Sequence, residues 1–216
     1  MAEIIKALEI LGTIAFAISG AFVAIDSCLD IFGVVFVSCI TAVGGGIVRD
    51  LLLGINPPTI FKAYHICLIA MLTSLIVFIL AYITRQKFKS LRMKIEHVNN
   101  FFDAIGLAAF SVTGAEVGFI HGFSDNWFII VVLGMITGVG GGIFRDILTD
   151  TTPYVFKKHI YALASIFGSS LYFIIRMSSN NITLASVISM ISVVLVRMLA
   201  TKYCWNLPKT HLNGKQ

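Results

Sequence analysis

Two stretches of this chain combine residues that pull a helix in opposite directions. Thr41-Ala42-Val43-Gly44-Gly45-Gly46-Ile47-Val48-Arg49-Asp50 and Thr137-Gly138-Val139-Gly140-Gly141-Gly142-Ile143-Phe144-Arg145-Asp146 each set three consecutive glycines ahead of an arginine and an aspartate. Each glycine gives up about 1 kcal/mol of helix propensity relative to alanine, and the triplet strips nearly one turn of side chains. Two gains can offset that. A helix that kinks or unwinds exposes carbonyls able to replace part of an ion's hydration shell, which a membrane tolerates where the backbone lines a wet cavity. Alternatively, small residues let neighbouring helices approach closely, a reading that Gly138-x-x-x-Gly142 and Gly114-x-x-x-Gly118 also fit. Because the triplet is doubled and followed both times by charges, the first reading leads. Gly44, Gly45, Gly46, Gly140, Gly141 and Gly142 are expected to break two helices beside a pathway.

Arg49, Asp50, Arg145 and Asp146 follow about one turn later. A charge inside a membrane costs roughly 2.5–3.5 kcal/mol on the insertion scale, so it normally faces a cavity or a partner. The two pairs are expected to shape the field at the mouths of one pathway, to tie helix ends down by pairing, or both. Glu116 is a further acid in an apolar run, placed either to draw cations inward or simply near an interface. Ser19, Thr41, Thr113 and Thr137 are candidate lining hydroxyls, although each alone is explained by bonding back to its own helix carbonyl. His65 and His159 lack a second ligand at i+4, so no metal site is expected. No H-E-x-x-H or G-x-S-x-G constellation occurs, so neither enzyme chemistry nor a resident cofactor is expected.

These residues need elements to hold them, and the composition says which. Hydrophobic residues make up 57% of 216 and charged residues 12%, far from a soluble domain with about a quarter of its residues charged. At roughly 20 apolar residues per span, spans are predicted near 5–25, 32–53, 60–84, 99–120, 127–148, 156–177 and 182–201. The net charge of +5 gathers in one loop and the tail, which argues against a nucleic-acid partner. The start at Met1-Ala2-Glu3 lacks a basic lead, so the first run is expected to be a retained helix. Cys28, Cys39, Cys67 and Cys204 are too scattered to suggest a disulfide framework or zinc site.

The loop with Arg85, Lys87, Lys89, Arg92 and Lys94 against Glu96 is expected in the cytoplasm. Seven spans then put the N-terminus outside and place Lys157, Lys158, Lys202, Lys209 and Lys215 inside.

The likeness between the two glycine segments extends outward. Pro58-Thr59-Ile60-Phe61-Lys62 matches Pro153-Tyr154-Val155-Phe156-Lys157, and Gly12, Ala15, Phe16, Ser19, Gly20 and Ala21 align with Gly106, Ala109, Phe110, Thr113, Gly114 and Ala115. The unit is three spans, an odd number, so the copies enter from opposite sides about a pseudo-two-fold axis in the membrane plane. The expected fold is an all-α membrane protein, one transmembrane domain over 1–216, with repeats at 5–84 and 99–177 and an unpaired helix at 182–201.

The doubled Gly-Gly-Gly-x-x-Arg-Asp motif resembles the trimeric intracellular cation channel (TRIC) family, in its prokaryotic branch. The resemblance implies a homotrimer in a prokaryotic cell membrane. Each subunit would have its own hourglass pore, permeable to monovalent cations such as K+ or Na+, with helices two and five bent at Gly44–Gly46 and Gly140–Gly142. Animal members carry a Lys-Glu-Val motif tied to phosphoinositide lipid. Here the stretch reads Arg49-Asp50-Leu51 without a clear match, so membrane lipids are expected as partners and the lipid regulation of the animal members is not carried over. Some bacterial relatives with the glycine motif are described as glycine transporters. A secondary transporter of a small amino acid such as glycine is therefore the alternative, since inverted repeats also build carriers.

Overall fold

The structure, a computed structural model, describes residues 3–84, 92–157 and 160–205. Of the residues weighed above, Arg85, Lys87, Lys89, Lys158, His159, Lys209 and Lys215 lie outside the described residues. Seven long helices follow one another: α1 (Glu3–Asp26), α2 (Ile31–Leu52), α3 (Tyr64–Ile83), α4 (Arg92–Ile120), α5 (Trp127–Leu148), α6 (Ile160–Ser179) and α7 (Ile182–Lys202). All seven are long and apolar enough to cross a bilayer, since a 20-residue helix runs about 30 Å, near the thickness of the hydrocarbon core. Because direction alternates, the start of α1 shares a near face with the α2–α3, α4–α5 and α6–α7 connections. The α1–α2, α3–α4 and α5–α6 connections and the end of α7 share the far face.

Helix ends follow from local side chains. Asp30, Asn126 and Asn181 cap α2, α5 and α7, their side-chain oxygens accepting from the amides of Gly33 (2.7 Å), Ile129 (3.1 Å) and Leu184 (3.0 Å). The left-handed turns that end helices are repeated between the halves. Cys28 (φ 59°) and Gly122 (φ 83°) close α1 and α4, and Gly54 (φ 69°) and Asp150 (φ 53°) close α2 and α5. In each, the next amide reaches five residues back: Leu29 to Ala24 and Phe123 to Gly118 (3.1 Å each), Ile55 to Asp50 (2.9 Å) and Thr151 to Asp146 (2.8 Å). The copies agree in backbone even where residue types differ.

One boundary is corrected, and the second copy folds in a similar way before its own third span. The third span, expected from 60, starts at Tyr64 after a 3-10 turn at Thr59–Phe61, and the sixth is led by a helical turn at Tyr154–Lys157, with 158–159 outside the described residues. The cause is the aspartate of each motif. Asp50 Oδ2 accepts from the Thr59 amide at 2.7 Å and Asp146 Oδ2 from the Tyr154 amide at 2.8 Å, folding each connection back onto the helix before it. The fourth helix is longer than expected, already helical at Arg92 where the span was expected from near 99.

Neither helix unwinds at its glycines, for α2 and α5 run as α-helix straight through both triplets. The missing side chains are used for contact. A Cβ on Gly45 would strike the Thr137 carbonyl oxygen, and a Cβ on Gly141 the Thr41 carbonyl oxygen, so the helices touch backbone to backbone in a reciprocal pair. Phe16 and Phe110, counterparts in the two copies, lie with ring centroids 5.2 Å apart. Counterparts meet each other only near a two-fold axis, so the inverted repeat has its axis here. Around this centre α1 packs on α4 and α2 on α5.

Replacing Gly45 or Gly141 by alanine should lower stability by about 1–3 kcal/mol, the cost of overpacking. Gly46→Ala should be neutral or gain up to about 1 kcal/mol of helix propensity, because its Cβ would meet only Arg49 Nη2, at 3.7 Å. Thermal unfolding in detergent checks this; a Gly45→Ala protein as stable as the parent would show that the backbone contact does not hold the helices together.

Candidate functional site

The two Arg-Asp pairs take the same local geometry and then diverge. Arg49 donates through Nε (2.9 Å) and Nη2 (2.7 Å) to Asp50 Oδ1, and Arg145 through Nε to Asp146 Oδ1 (2.8 Å). Each aspartate thus holds its arginine with one oxygen and a connection with the other, so pairing does tie the helix ends.

On the near face, Arg49 keeps 12% of its side chain exposed and faces a cavity of about 330 Å³. Exposed Lys6, His65 and His121 lie at its mouth, Glu9 and Gly46 stand along its wall, and Thr113 and Thr137 line its inner end. Thr113 lies seven residues before the end of α4, about 10 Å into the membrane at 1.5 Å per residue.

On the far face Arg145 is wholly buried. Its Nη1 donates to Asp103 Oδ1 (2.6 Å) and to Ser19 Oγ (2.7 Å), and arginine and Asp103 are both 0% exposed. Around them stand Arg197 of α7, with Nη2 3.6 Å from Asp103 Oδ2 and 3.0 Å from Asn100 Oδ1, and Tyr161, whose hydroxyl is 3.4 Å from Asp103 Oδ1. The Arg197 guanidinium stacks over the Tyr161 ring at 4.7 Å. Two arginines and two aspartates balance, as burial in a low-dielectric interior requires.

Of the predicted residues, Gly46, Arg49, Asp50, Thr113 and Thr137 line one cavity. Arg145, Asp146 and Ser19 belong to the buried far-face cluster. Thr41 is buried with its hydroxyl on the Val37 carbonyl (2.7 Å), as Thr137 bonds Leu133 (2.6 Å). Glu116 is elsewhere: it accepts from the Tyr172 hydroxyl (2.6 Å), lies 3.7 Å from Arg176 Nε and borders a separate cavity of about 430 Å³. Glu9, Asp103, Tyr161 and Arg197 were not singled out from sequence. A signal existed for the first two, since carrying the Gly12/Gly106 alignment back three residues pairs Glu9 with Asp103.

Seven helices able to span a membrane, in inverted repeats, with a largely apolar cavity that carries Arg49, Asp50, Thr113 and Thr137 beside the glycine crossing, define an integral membrane protein of the inverted-repeat class. A family model described as Glycine transporter matches residues 6–82 and again 100–177. The inner membrane protein YadS of Escherichia coli, of the UPF0126 group, is 35% identical over 211 residues, covering 96% of this chain and 98% of its own. A crystal structure of a prokaryotic TRIC channel in 0.5 M KCl superposes with a TM-score of 0.84 at 33% identity, covering 96% of this chain and all of that one. The TRIC orthologue from Rhodobacter sphaeroides gives a TM-score of 0.83 at 27% identity, covering 94% of this chain and 100% of that one. The chain belongs to this family, in the prokaryotic branch of the TRIC proteins.

Asp103→Ala should cost about 3–5 kcal/mol by leaving Arg145 buried beside an unfilled partner. Glu9→Gln, at the equivalent position of the first copy, should cost less than about 1 kcal/mol, since the partly exposed Glu9 carboxylate has no hydrogen bond among the described residues. Unfolding midpoints of the two variants, read side by side, check the contrast.

Proposed function

We propose that this chain forms a passive path for monovalent cations, K+ foremost, one path within each subunit of a homotrimer. The supporting observation is the near-face cavity at the reciprocal glycine crossing, set in a scaffold that matches solved TRIC cation channels at 33% identity over nearly its full length. Cations would enter past Glu9 and Arg49, reach the hydroxyls of Thr113 and Thr137, and leave past the Arg145 cluster. The repeats occupy 5–84 and 99–177, and the seventh helix, 182–201, stands outside them. The protein sits in the cell membrane with its N-terminus outside. Arg92, Lys94, Lys157 and Lys202 fall on the far face by sequence position, and the positive-inside rule makes that face cytoplasmic.

A carrier of a small amino acid is the second reading. It is favoured by the family description and by a cavity that offers a guanidinium and a carboxylate to one zwitterion while the far face is closed.

In a planar bilayer with a K+ gradient the purified protein should pass discrete cation currents without coupled glycine uptake. Arg49→Gln should raise unitary cation conductance by removing a repelling charge. The gain should be larger at 0.1 M than at 1 M salt, because the Debye length falls from about 10 Å to about 3 Å. Silent bilayers with saturable uptake of labelled glycine into liposomes would replace the channel by the carrier.

A further inference from the structure

Arg49 and Arg145 are counterparts in the repeat, yet they are in different states. Arg145 holds three groups: Asp146 at 2.8 Å, Asp103 at 2.6 Å and Ser19 at 2.7 Å. The alignment supplies a counterpart for each around Arg49, with Asp50 for Asp146, Glu9 for Asp103 and Thr113 for Ser19. Arg49 holds only the first. Glu9 and Thr113 line the same cavity as Arg49. The Thr113 hydroxyl makes only a long 3.4 Å contact to the Phe110 carbonyl, and the Glu9 carboxylate has no hydrogen bond among the described residues, its backbone carbonyl alone accepting from the Thr13 hydroxyl at 2.7 Å. The chain therefore carries two copies of one four-residue arrangement, one assembled and one apart.

We infer that Glu9 and Thr113 are the receptor of a second arginine latch. In an alternative conformation the Arg49 guanidinium keeps Asp50, takes the Glu9 carboxylate and the Thr113 hydroxyl, and closes the near-face cavity, as Arg145 closes the far face here. Halves related by an inverted two-fold can exchange conformations, which turns a far-closed state into a near-closed one. The hydroxyl matters because each hydrogen bond to a guanidinium withdrawn from water offsets part of its desolvation, as Ser19 does for Arg145 at 2.7 Å. Glu9, Thr113, Asp103 and Ser19 are thus positioning residues that act through the two arginines on access to the path, whether the path serves a channel or a carrier.

The test measures access, not current. Val43 lies in α2 beyond Arg49 from the near face and lines the cavity. In Val43→Cys protein reconstituted in liposomes, labelling at residue 43 by a neutral, water-soluble methanethiosulfonate reagent is followed by peptide mass mapping, which reads that site apart from the native cysteines. Thr113→Val keeps size and charge while removing the latch hydroxyl, so it should raise the labelling rate several-fold. Arg49→Gln should raise it at least as much, and Thr113→Val should add nothing in the Arg49→Gln background. A Thr113→Val rate equal to the parent, or an equal gain with and without Arg49, would overturn the latch. Bilayer recording supplies a second readout: Thr113→Val should raise open probability in the parent and leave it unchanged in the Arg49→Gln background, and an equal change in both backgrounds would make Thr113 a lining residue only. Because labelling needs no current, failure of the latch is distinguishable from failure of the channel reading.

Discussion

At the centre of the protein two helices meet with nothing between their backbones. Gly45 lies against the carbonyl of Thr137 and Gly141 against that of Thr41, and this reciprocal contact constrains the rest. Helices in lipid gain little from hiding apolar surface from one another, so close packing of small residues must supply the attraction. The contact sets the crossing of α2 and α5, puts Phe16 against Phe110, and leaves the residues one turn beyond the glycines to diverge toward opposite faces. Arg49 and Arg145 therefore stand on either side of one crossing, and what each does is decided by the helices that surround it.

Each motif aspartate has two duties that a carboxylate is well suited to combine. One oxygen accepts from the neighbouring arginine and the other from a backbone amide eight or nine residues on. The charge that neutralises a membrane-embedded arginine is also the clamp that turns the chain toward the next helix. This accounts for Arg-Asp at the end of two spanning helices, where a charged pair is otherwise expensive.

Much of the architecture was legible in the sequence. The seven spans appear as apolar runs, and the copies declare themselves through the glycine segments. The third helix start was not legible, because Ile60-Phe61 carries hydropathy into the connection, and hydropathy does not register an amide captured by a distant carboxylate. The glycines were visible but their use was not: a sequence shows that side chains are missing from a turn, not which backbone fills the space. Arg49 and Arg145 read alike for the same reason. Their difference lies in Asp103 and Ser19 closing on one while Glu9 and Thr113 stay apart from the other, which the alignment of the two motifs does not show.

Arg197 comes from α7, the helix with no partner in the repeat, and approaches Asp103 within 3.6 Å. Among the described residues no further helix brings an equivalent arginine to Glu9. The two halves are therefore not isoenergetic when they trade places: one extra guanidinium weights the pair toward an assembled far-face cluster. Since about 1.4 kcal/mol is a tenfold change in population, a side chain outside the symmetric core suffices to set the resting bias of the whole molecule. The unpaired helix acts as a thermodynamic counterweight, and its sequence can drift to retune that bias without altering a residue of the path.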